Sequence, residues 1–148
     1  AVLERHREHV GTVLRQLSFS IWLGGDLDGA IATMNRSVAL CDRPAPRTYS
    51  TVYVAGASAF AGETHQAAAI MASVDPNAWP PELRGSSMNV LGLLADAYIR
   101  LDALDFPGAL DALEGTRRYL RTNESWPFLA AAWVSARDTL SAISISAI

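Results

Sequence analysis

The stretch GGDLDGAIATM, residues 24–34, is repeated in outline by AGETHQAAAIM, residues 61–71. Each stretch places a glycine, an acidic residue, an alanine and a methionine at the same relative positions, 37 residues apart. The matching positions are Gly25 and Gly62, Asp26 and Glu63, Ala30 and Ala67, and Met34 and Met71. A third alanine, Ala109, follows after a further 42 residues. Because glycine ends helices and acidic residues cap them, the pattern is typical of a turn between two helices.

Apolar residues with helical spacing lie on both sides of the first turn. The segment 2–23 has the i, i+3, i+4, i+7 pattern of one buried helix face. The residues predicted on that face are Val10, Val13, Leu14, Leu17 and Ile21. Gly25 ends this helix, and Asp26 or Asp28 caps the next one. The second helix carries an apolar stripe formed by Leu27, Ala30, Ile31, Met34 and Val38.

The same organisation restarts after the second helix, which Pro44 and Pro46 stop. A third helix is predicted near 48–60. The β-branched and aromatic residues of YSTVYV, residues 49–54, leave a short strand as the alternative there. A fourth helix follows Gly62 in the register of the repeat, and its inward residues are Ala67, Ala68, Ile70, Met71 and Val74.

A third round follows the proline-rich stretch DPNAWPPELRG, residues 75–85, which predicts a loop. Its first helix has the inward residues Met88, Leu91, Leu94, Ala95 and Tyr98. Its turn, RLDALDFPG at residues 100–108, is predicted to be longer than the other two, and Pro107 suits the first turn of a helix. That helix has the inward residues Ala109, Leu110, Leu113 and Leu120. With a further helix in WPFLAAAWVSARDTL, residues 126–140, the sequence predicts an all-α fold of about seven helices.

The composition excludes several kinds of chemistry. The chain has 148 residues, enough for one domain, and its net charge of −3 argues against binding of a phosphate backbone. All 12 basic residues are arginine, which excludes Schiff-base chemistry on lysine and a P-loop lysine. Cys41 has no cysteine to pair with and is interpreted as a small apolar residue. With no bilayer-spanning run and no signal peptide, we expect a cytoplasmic protein, read as a piece of a longer chain.

A repeat of 34 to about 45 residues in a helical pattern is typical of stacked helical hairpins. Residues 11–44 resemble the tetratricopeptide repeat family through Leu14, Leu17, Ser18, Ile21, Gly25, Asp26, Ala30, Met34 and Ser37. The second unit matches through Val54, Ala55, Gly62, Ala67, Met71 and Val74, and the third through Leu91, Leu94, Ala95, Tyr98, Ala109 and Leu113. The resemblance implies one domain, 1–148, folded as a right-handed solenoid of antiparallel hairpins, with units at about 11–46, 47–85 and 86–122 and a partial unit at 123–148.

A narrower resemblance rests on the expanded turn ALDFPGAL, residues 103–110, and on WPFLAAAW, residues 126–133. Alanine- and arginine-rich repeats with these features resemble the helical-repeat region of large LuxR-type transcriptional regulators, which include relatives of the maltose regulator MalT. Such proteins place an ATPase module before the repeats and a helix-turn-helix DNA reader after them. The sequence contains neither, so the resemblance implies the sensor and scaffold part only.

The reactive side chains form no catalytic pattern in the sequence. His6 and His9 could share a metal, but no third ligand or HExxH motif accompanies them, and an exposed polar face is the interpretation. Ser18 lies in no GxSxG elbow and fills a small-residue position of the repeat. Two charged sets are interpreted as helix caps and helix-end charges, namely Asp102, Asp105 and Asp111, and Arg117, Arg118 and Arg121. We therefore assign no catalytic residue, metal site or cofactor.

The tetratricopeptide resemblance places the first helix of each hairpin on the concave surface of the solenoid. The residues expected on this inner wall are Arg15, Phe19, Trp22, Tyr49, Val52, Phe60, Asp96 and Arg100. Arginine beside aromatic rings suits a peptide carboxylate or a flat ligand. The alternative is that these side chains only pack against the next helix.

The leading hypothesis for function is the non-catalytic repeat domain of a LuxR-type regulator, which binds an inducer, peptide or protein and contacts neither nucleic acid nor membrane. A stand-alone tetratricopeptide adaptor that binds peptide tails is the alternative. An all-α enzyme is a third hypothesis, but the sequence contains no recognisable set of catalytic residues to support it. The first helix and WPFLAAAWV, residues 126–134, lack a partner hairpin, so we also expect a homodimer or swapped ends.

Overall fold

The computed structural model describes residues 2–74 and 87–122, together with residues 134, 137, 138, 141 and 142. The described ranges are helical and contain no strand, which confirms the all-α prediction. YSTVYV, residues 49–54, lies inside a helix, so the strand alternative is wrong. The loop predicted at 75–85 and most of the helix predicted at 126–140 lie outside the described residues.

Six helices follow one another in the described ranges. They are α1 (Val2–Leu23), α2 (Leu27–Leu40), α3 (Pro44–Phe60), α4 (Thr64–Ser73), α5 (Ser87–Asp102) and α6 (Phe106–Thr122). Helices α1 and α2, α3 and α4, and α5 and α6 form three hairpins, and α3 packs on α2 while α5 packs on α3 and α4. Pro44 begins α3, upstream of the predicted start at residue 48, because proline is favoured in the first turn of a helix.

The three hairpin turns have the same backbone structure. In each, the residue after a positive-φ position donates its N–H to the carbonyl five residues back: Asp26 to Ile21 at 3.2 Å, Glu63 to Ser58 at 2.9 Å, and Asp105 to Arg100 at 2.8 Å. This is the Schellman helix end, in which a left-handed residue lets the last carbonyls find donors. The left-handed residues are Gly25, Gly62 and Leu104, with φ of 89°, 86° and 60°.

The third turn is therefore not expanded, and that prediction is wrong. Leu104 adopts the conformation that glycine adopts in the other two turns, and the three turns have the same length. Because position 104 is not a glycine, the sequence did not reveal this equivalence. The difference between the 37- and 42-residue spacings lies instead between α4 and α5. The match of the third unit also changes, because Ala97, not Ala95, occupies the position of Ser18 and Ala55. The turn no longer supports the narrower LuxR resemblance.

Replacing Leu104 with glycine is expected to raise the free energy of unfolding by about 1 kcal/mol. A left-handed conformation costs most L-residues roughly 1–2 kcal/mol, and the flexibility of glycine in the unfolded chain offsets part of the gain. Leu104 is 69% exposed, so little packing is lost. Chemical denaturation measures the change. Leu104→Ala removes the same side chain but keeps the backbone strain, and an equal gain from alanine would contradict this explanation.

Small residues allow the two helices of each hairpin to approach closely. One buried small residue lies on each first helix and one on each second helix; they are Ser18 with Ala30, Ala55 with Ala67, and Ala97 with Ala109. All six are buried, which explains why the alanine of the sequence repeat recurs. The acidic residue before each second helix also has a defined role at two turns, since Asp26 accepts from the N–H of Gly29 and Asp105 from that of Gly108.

The buried face of α1 is not the one that the periodicity predicted. Val13 and Leu17 are 52% and 48% exposed, and the rest of the predicted stripe is only partly buried. The buried residues of α1 are Gly11, Ser18 and Phe19. A β-carbon at Gly11 would come within 3.2 Å of the Cys41 sulfur, so α1 packs on α2 through small residues that carry no hydrophobic signal. Similarly, Leu110 of α6 is exposed although predicted inward.

Two fully buried serines provide a matched test of hydrogen bonding in the core. The Ser37 hydroxyl donates to the Gly11 carbonyl at 2.7 Å and pairs with the Ser50 hydroxyl at 3.1 Å, whereas the buried Ser58 hydroxyl has no partner. We expect Ser37→Ala to cost about 1–2 kcal/mol of unfolding free energy and Ser58→Ala to be neutral or stabilising by up to about 1 kcal/mol. Thermal and urea unfolding of both variants measure this difference, and destabilisation by both would contradict it.

Candidate functional site

A row of three aromatic rings crosses the first helices of the three hairpins. Trp22 on α1 lies 5.6 Å from Phe60 on α3, and Phe60 meets Tyr98 on α5 edge-on at 6.0 Å between ring centroids. Phe60 is 38% exposed, and Trp22 and Tyr98 are partly buried. We call Trp22, Phe60 and Tyr98 the aromatic row. It brings two of the predicted inner-wall residues together, and Tyr98, which the sequence had suggested only as packing, completes it.

A second aromatic group lies deeper between α1 and α3. The rings of Phe19 and Tyr53 meet edge-on at 4.1 Å, and Tyr49 lies 5.1 Å from Tyr53, with 3.4 Å between their hydroxyl oxygens. Phe19, Tyr53 and Val52 are buried. Phe19 and Val52 therefore belong to the core, which is the packing alternative for the inner wall. Tyr49, only partly buried, lies at the edge of this group.

Arg15 lies beside the second group, and no acidic side chain of the described residues pairs with it. Its guanidinium carbon is 4.4 Å from the centroid of the Tyr49 ring, a cation–π contact. Its Nε and Nη1 atoms are buried and have no hydrogen-bond partner. Arginine stays charged and its N–H groups cannot be removed by deprotonation, so this burial carries a desolvation cost. The predicted pairing of arginine with an aromatic ring is present, while the Nε and Nη1 atoms are enclosed by the protein.

Tyr119 of α6 extends the aromatic environment of Tyr49. Burial raises the pKa of the Tyr119 hydroxyl above its ordinary value, and the nearby Tyr49 raises this pKa further. Both effects disfavour the phenolate, so the side chain is the neutral phenol at physiological pH. The sequence carries no signal that distinguishes Tyr119 from other residues of an amphipathic helix, because its neighbour Tyr49 lies 70 residues earlier in the chain.

Arg100 links Asp96 of α5 to Asp105 of the third turn. The Arg100 Nε donates to Asp96 Oδ2 at 2.8 Å, and its Nη1 donates to Asp105 Oδ2 at 2.7 Å. The bond from Arg100, with a second bond from the Gly108 N–H, holds the pKa of Asp105 below its ordinary value. The stabilisation is present at neutral pH and is lost when acid protonates Asp105. These two predicted wall residues are thus engaged with the turn that joins α5 to α6.

Three further candidates are accounted for by exposure, packing or a local ion pair. His6 and His9 are exposed, Ser18 is buried and donates to the Arg15 carbonyl at 2.8 Å, and Arg117 pairs with Glu114 at 2.8 Å. Within the described residues, no three histidine, cysteine or acidic side chains are placed to hold a metal ion. None of the helices in the described ranges combines the length and the apolar character needed to cross a bilayer.

Comparison with known proteins identifies no relative of this chain. The chain matches no protein-family model, no curated protein and no solved structure. The geometry of the described residues is therefore the basis for the functional proposal.

Replacing Arg15 with methionine is expected to stabilise the unliganded protein by about 1 kcal/mol. Methionine preserves an unbranched apolar stem over the Tyr49 ring and removes the buried N–H groups that lack acceptors. Arg36→Met, at an exposed position on α2, is the control and should change stability by no more than about 0.5 kcal/mol. Urea denaturation measures both variants. A clear loss of stability in Arg15→Met would show that the guanidinium is already satisfied.

Proposed function

We propose that this chain is a non-catalytic helical-repeat domain that binds a partner through the aromatic row. The observation that carries the proposal is the row itself: one ring from the first helix of each hairpin, with a partly exposed phenylalanine at its centre. Rings held at fixed distances on rigid helices provide contact area at a low cost in side-chain entropy. Their partner would present an apolar or flat group.

The proposed arrangement is a tetratricopeptide-like right-handed solenoid of about seven helices, with the aromatic row on its concave side. Repetition of one turn and one pair of small residues in three hairpins supports this proposal. Repeat proteins of this kind build extended concave surfaces for binding. Arg15 adds a cation beside Tyr49 in the second aromatic group, which favours a ligand that also carries a negative charge.

In the biological context that we propose, the domain is the sensor and scaffold of a cytoplasmic LuxR-type regulator. The support is the alanine- and arginine-rich helical repeat together with WPFLAAAW, residues 126–133. Sequencing the DNA on both sides of the coding segment tests this context. An ATPase module upstream and a helix-turn-helix module downstream are the expected result. A start codon and a stop codon close to residues 1 and 148 would instead favour the stand-alone peptide-binding adaptor.

Binding by the aromatic row has a separate test. Peptides are selected from a random 12-residue library displayed on phage, and their affinities for the purified chain are measured. We expect Phe60→Ala to weaken binding at least about tenfold, because a central aromatic anchor contributes more than its neighbours. Leu110→Ala, at an exposed apolar position on α6, is the control and should leave affinity unchanged. Equal binding by wild type and Phe60→Ala would contradict the proposed surface.

A further inference from the structure

An apolar stripe on the outer side of α1 has no partner in the described structure. Leu3, Val13 and Leu17 are 80%, 52% and 48% exposed, and Val10 is only partly buried. These residues share one face of the helix, because positions seven apart are separated by two turns. This outer stripe, defined as Leu3, Val10, Val13 and Leu17, includes three of the five residues that the periodicity had predicted on a buried face, namely Val10, Val13 and Leu17.

The second hairpin shows what covers the equivalent surface. On α3, Ser50 occupies the position that Val13 has on α1, counted from the identical turns. Ser50 is buried, and its hydroxyl lies 3.1 Å from that of Ser37 on α2. Val54, which corresponds to Leu17, lies one turn further along the same face and is 3% exposed. The covering element is the second helix of the preceding hairpin.

The third hairpin repeats this relation only in part. Gly92 of α5, which corresponds to Val13, is buried, whereas Asp96, which corresponds to Leu17, is partly exposed and pairs with Arg100 at 2.8 Å. Helices α4 and α5 pack together as α2 and α3 do. In both cases a first helix packs on the second helix of the hairpin before it, and the residue that corresponds to Val13 is buried there.

We propose that the outer stripe of α1 is a docking face for an amphipathic helix of the α2 type, the second helix of a further hairpin. A solenoid end that faces water carries polar residues, whereas α1 carries valine and leucine there. Val13 stands where α3 has a serine, so the partner helix needs no hydroxyl opposite it and carries an apolar stripe of small and aliphatic residues. The stripe lies away from the aromatic row, so this proposal is independent of the proposed function.

A synthetic helix provides a direct probe of the stripe. The peptide has the sequence of residues 26–42 with Ser37→Ala and Cys41→Ala, which removes the hydroxyl and the thiol. Isothermal titration calorimetry measures its binding to the whole chain, and sedimentation velocity measures the mass of the chain alone. We expect the peptide to bind and Leu17→Asp to weaken this binding at least about tenfold. Leu110→Asp, an exposed position on α6, is the control and should bind as wild type does.

Three results would overturn the proposal. The first is equal binding of the peptide by wild type and Leu17→Asp, and the second is no binding by wild type. The third is self-association of wild type that Leu17→Asp abolishes and the peptide does not inhibit, which would identify a second copy as the occupant. Val13→Asp tests the same face independently, and circular dichroism checks that both variants remain helical.

Discussion

Replacing Tyr53 with alanine is expected to lower the free energy of unfolding by about 4 kcal/mol. Tyr53 is fully buried on α3 and belongs to the main core cluster. Its ring meets Phe19 of α1 at 4.1 Å and Tyr49 at 5.1 Å. Alanine removes these contacts and leaves a cavity where the first and second hairpins meet, and the surrounding helices relax only partly into it. Urea denaturation monitored by far-ultraviolet circular dichroism measures the loss.

Tyr53→Phe separates the ring from its hydroxyl. Phenylalanine keeps both ring contacts, and the hydroxyl bond to Tyr49 is long at 3.4 Å, so we expect a cost of at most about 1.5 kcal/mol. If the phenylalanine variant were as unstable as the alanine variant, the hydroxyl and not the packing of the ring would hold α1 on α3.

Local signals made the hairpin turns predictable from the sequence. A glycine supplies the left-handed residue, an acidic side chain follows it, and an alanine allows close helix packing, so Gly25, Asp26 and Ala30 define a turn by themselves. The third turn was predicted to be longer than the others because leucine, and not glycine, occupies its left-handed position. Leu104 adopts a positive φ because the hydrogen bonds of the turn and the ion pairs of Arg100 hold the backbone there.

Periodicity alone did not identify the core face of α1. Gly11 and Ser18 are small, so a scale based on hydrophobicity passes over them, yet they are the residues that bring α1 onto α2. Val13 and Leu17 carry the stronger signal and lie on the outside. A sequence pattern reports that a helix has an apolar face, whereas the pairing of faces depends on shape and on long-range contacts.

The candidate site was predictable in its residue types and only partly in its geometry. Trp22 and Phe60 come together as the first-helix argument implied. Asp96 and Arg100 instead pair with each other, because an arginine four residues after an aspartate lies on the same helix face. The lack of hydrogen-bond acceptors for Nε and Nη1 of Arg15 depends on which helices surround this side chain, and a single sequence carries no signal for that arrangement.

An aspartate on the outer face of a first helix is expected to have opposite consequences in the first two hairpins. Val54→Asp on α3 should lower the free energy of unfolding by about 4 kcal/mol or more, because it buries a carboxylate in the main core cluster. Leu17→Asp occupies the equivalent position on α1, where the side chain is half exposed. It should change stability by no more than about 1 kcal/mol, since water continues to solvate the charge.

Thermal unfolding of the two variants at neutral pH measures the contrast, and unfolding near pH 3 checks its electrostatic origin. Protonation of the aspartate should recover part of the stability of Val54→Asp relative to wild type at the same pH, and should leave Leu17→Asp close to wild type. A large loss in both variants would show that the outer stripe of α1 is already covered within the chain. A large loss in Val54→Asp alone would mean that α1 and α3 have equivalent outer faces, and that this face is covered on α3 and exposed on α1.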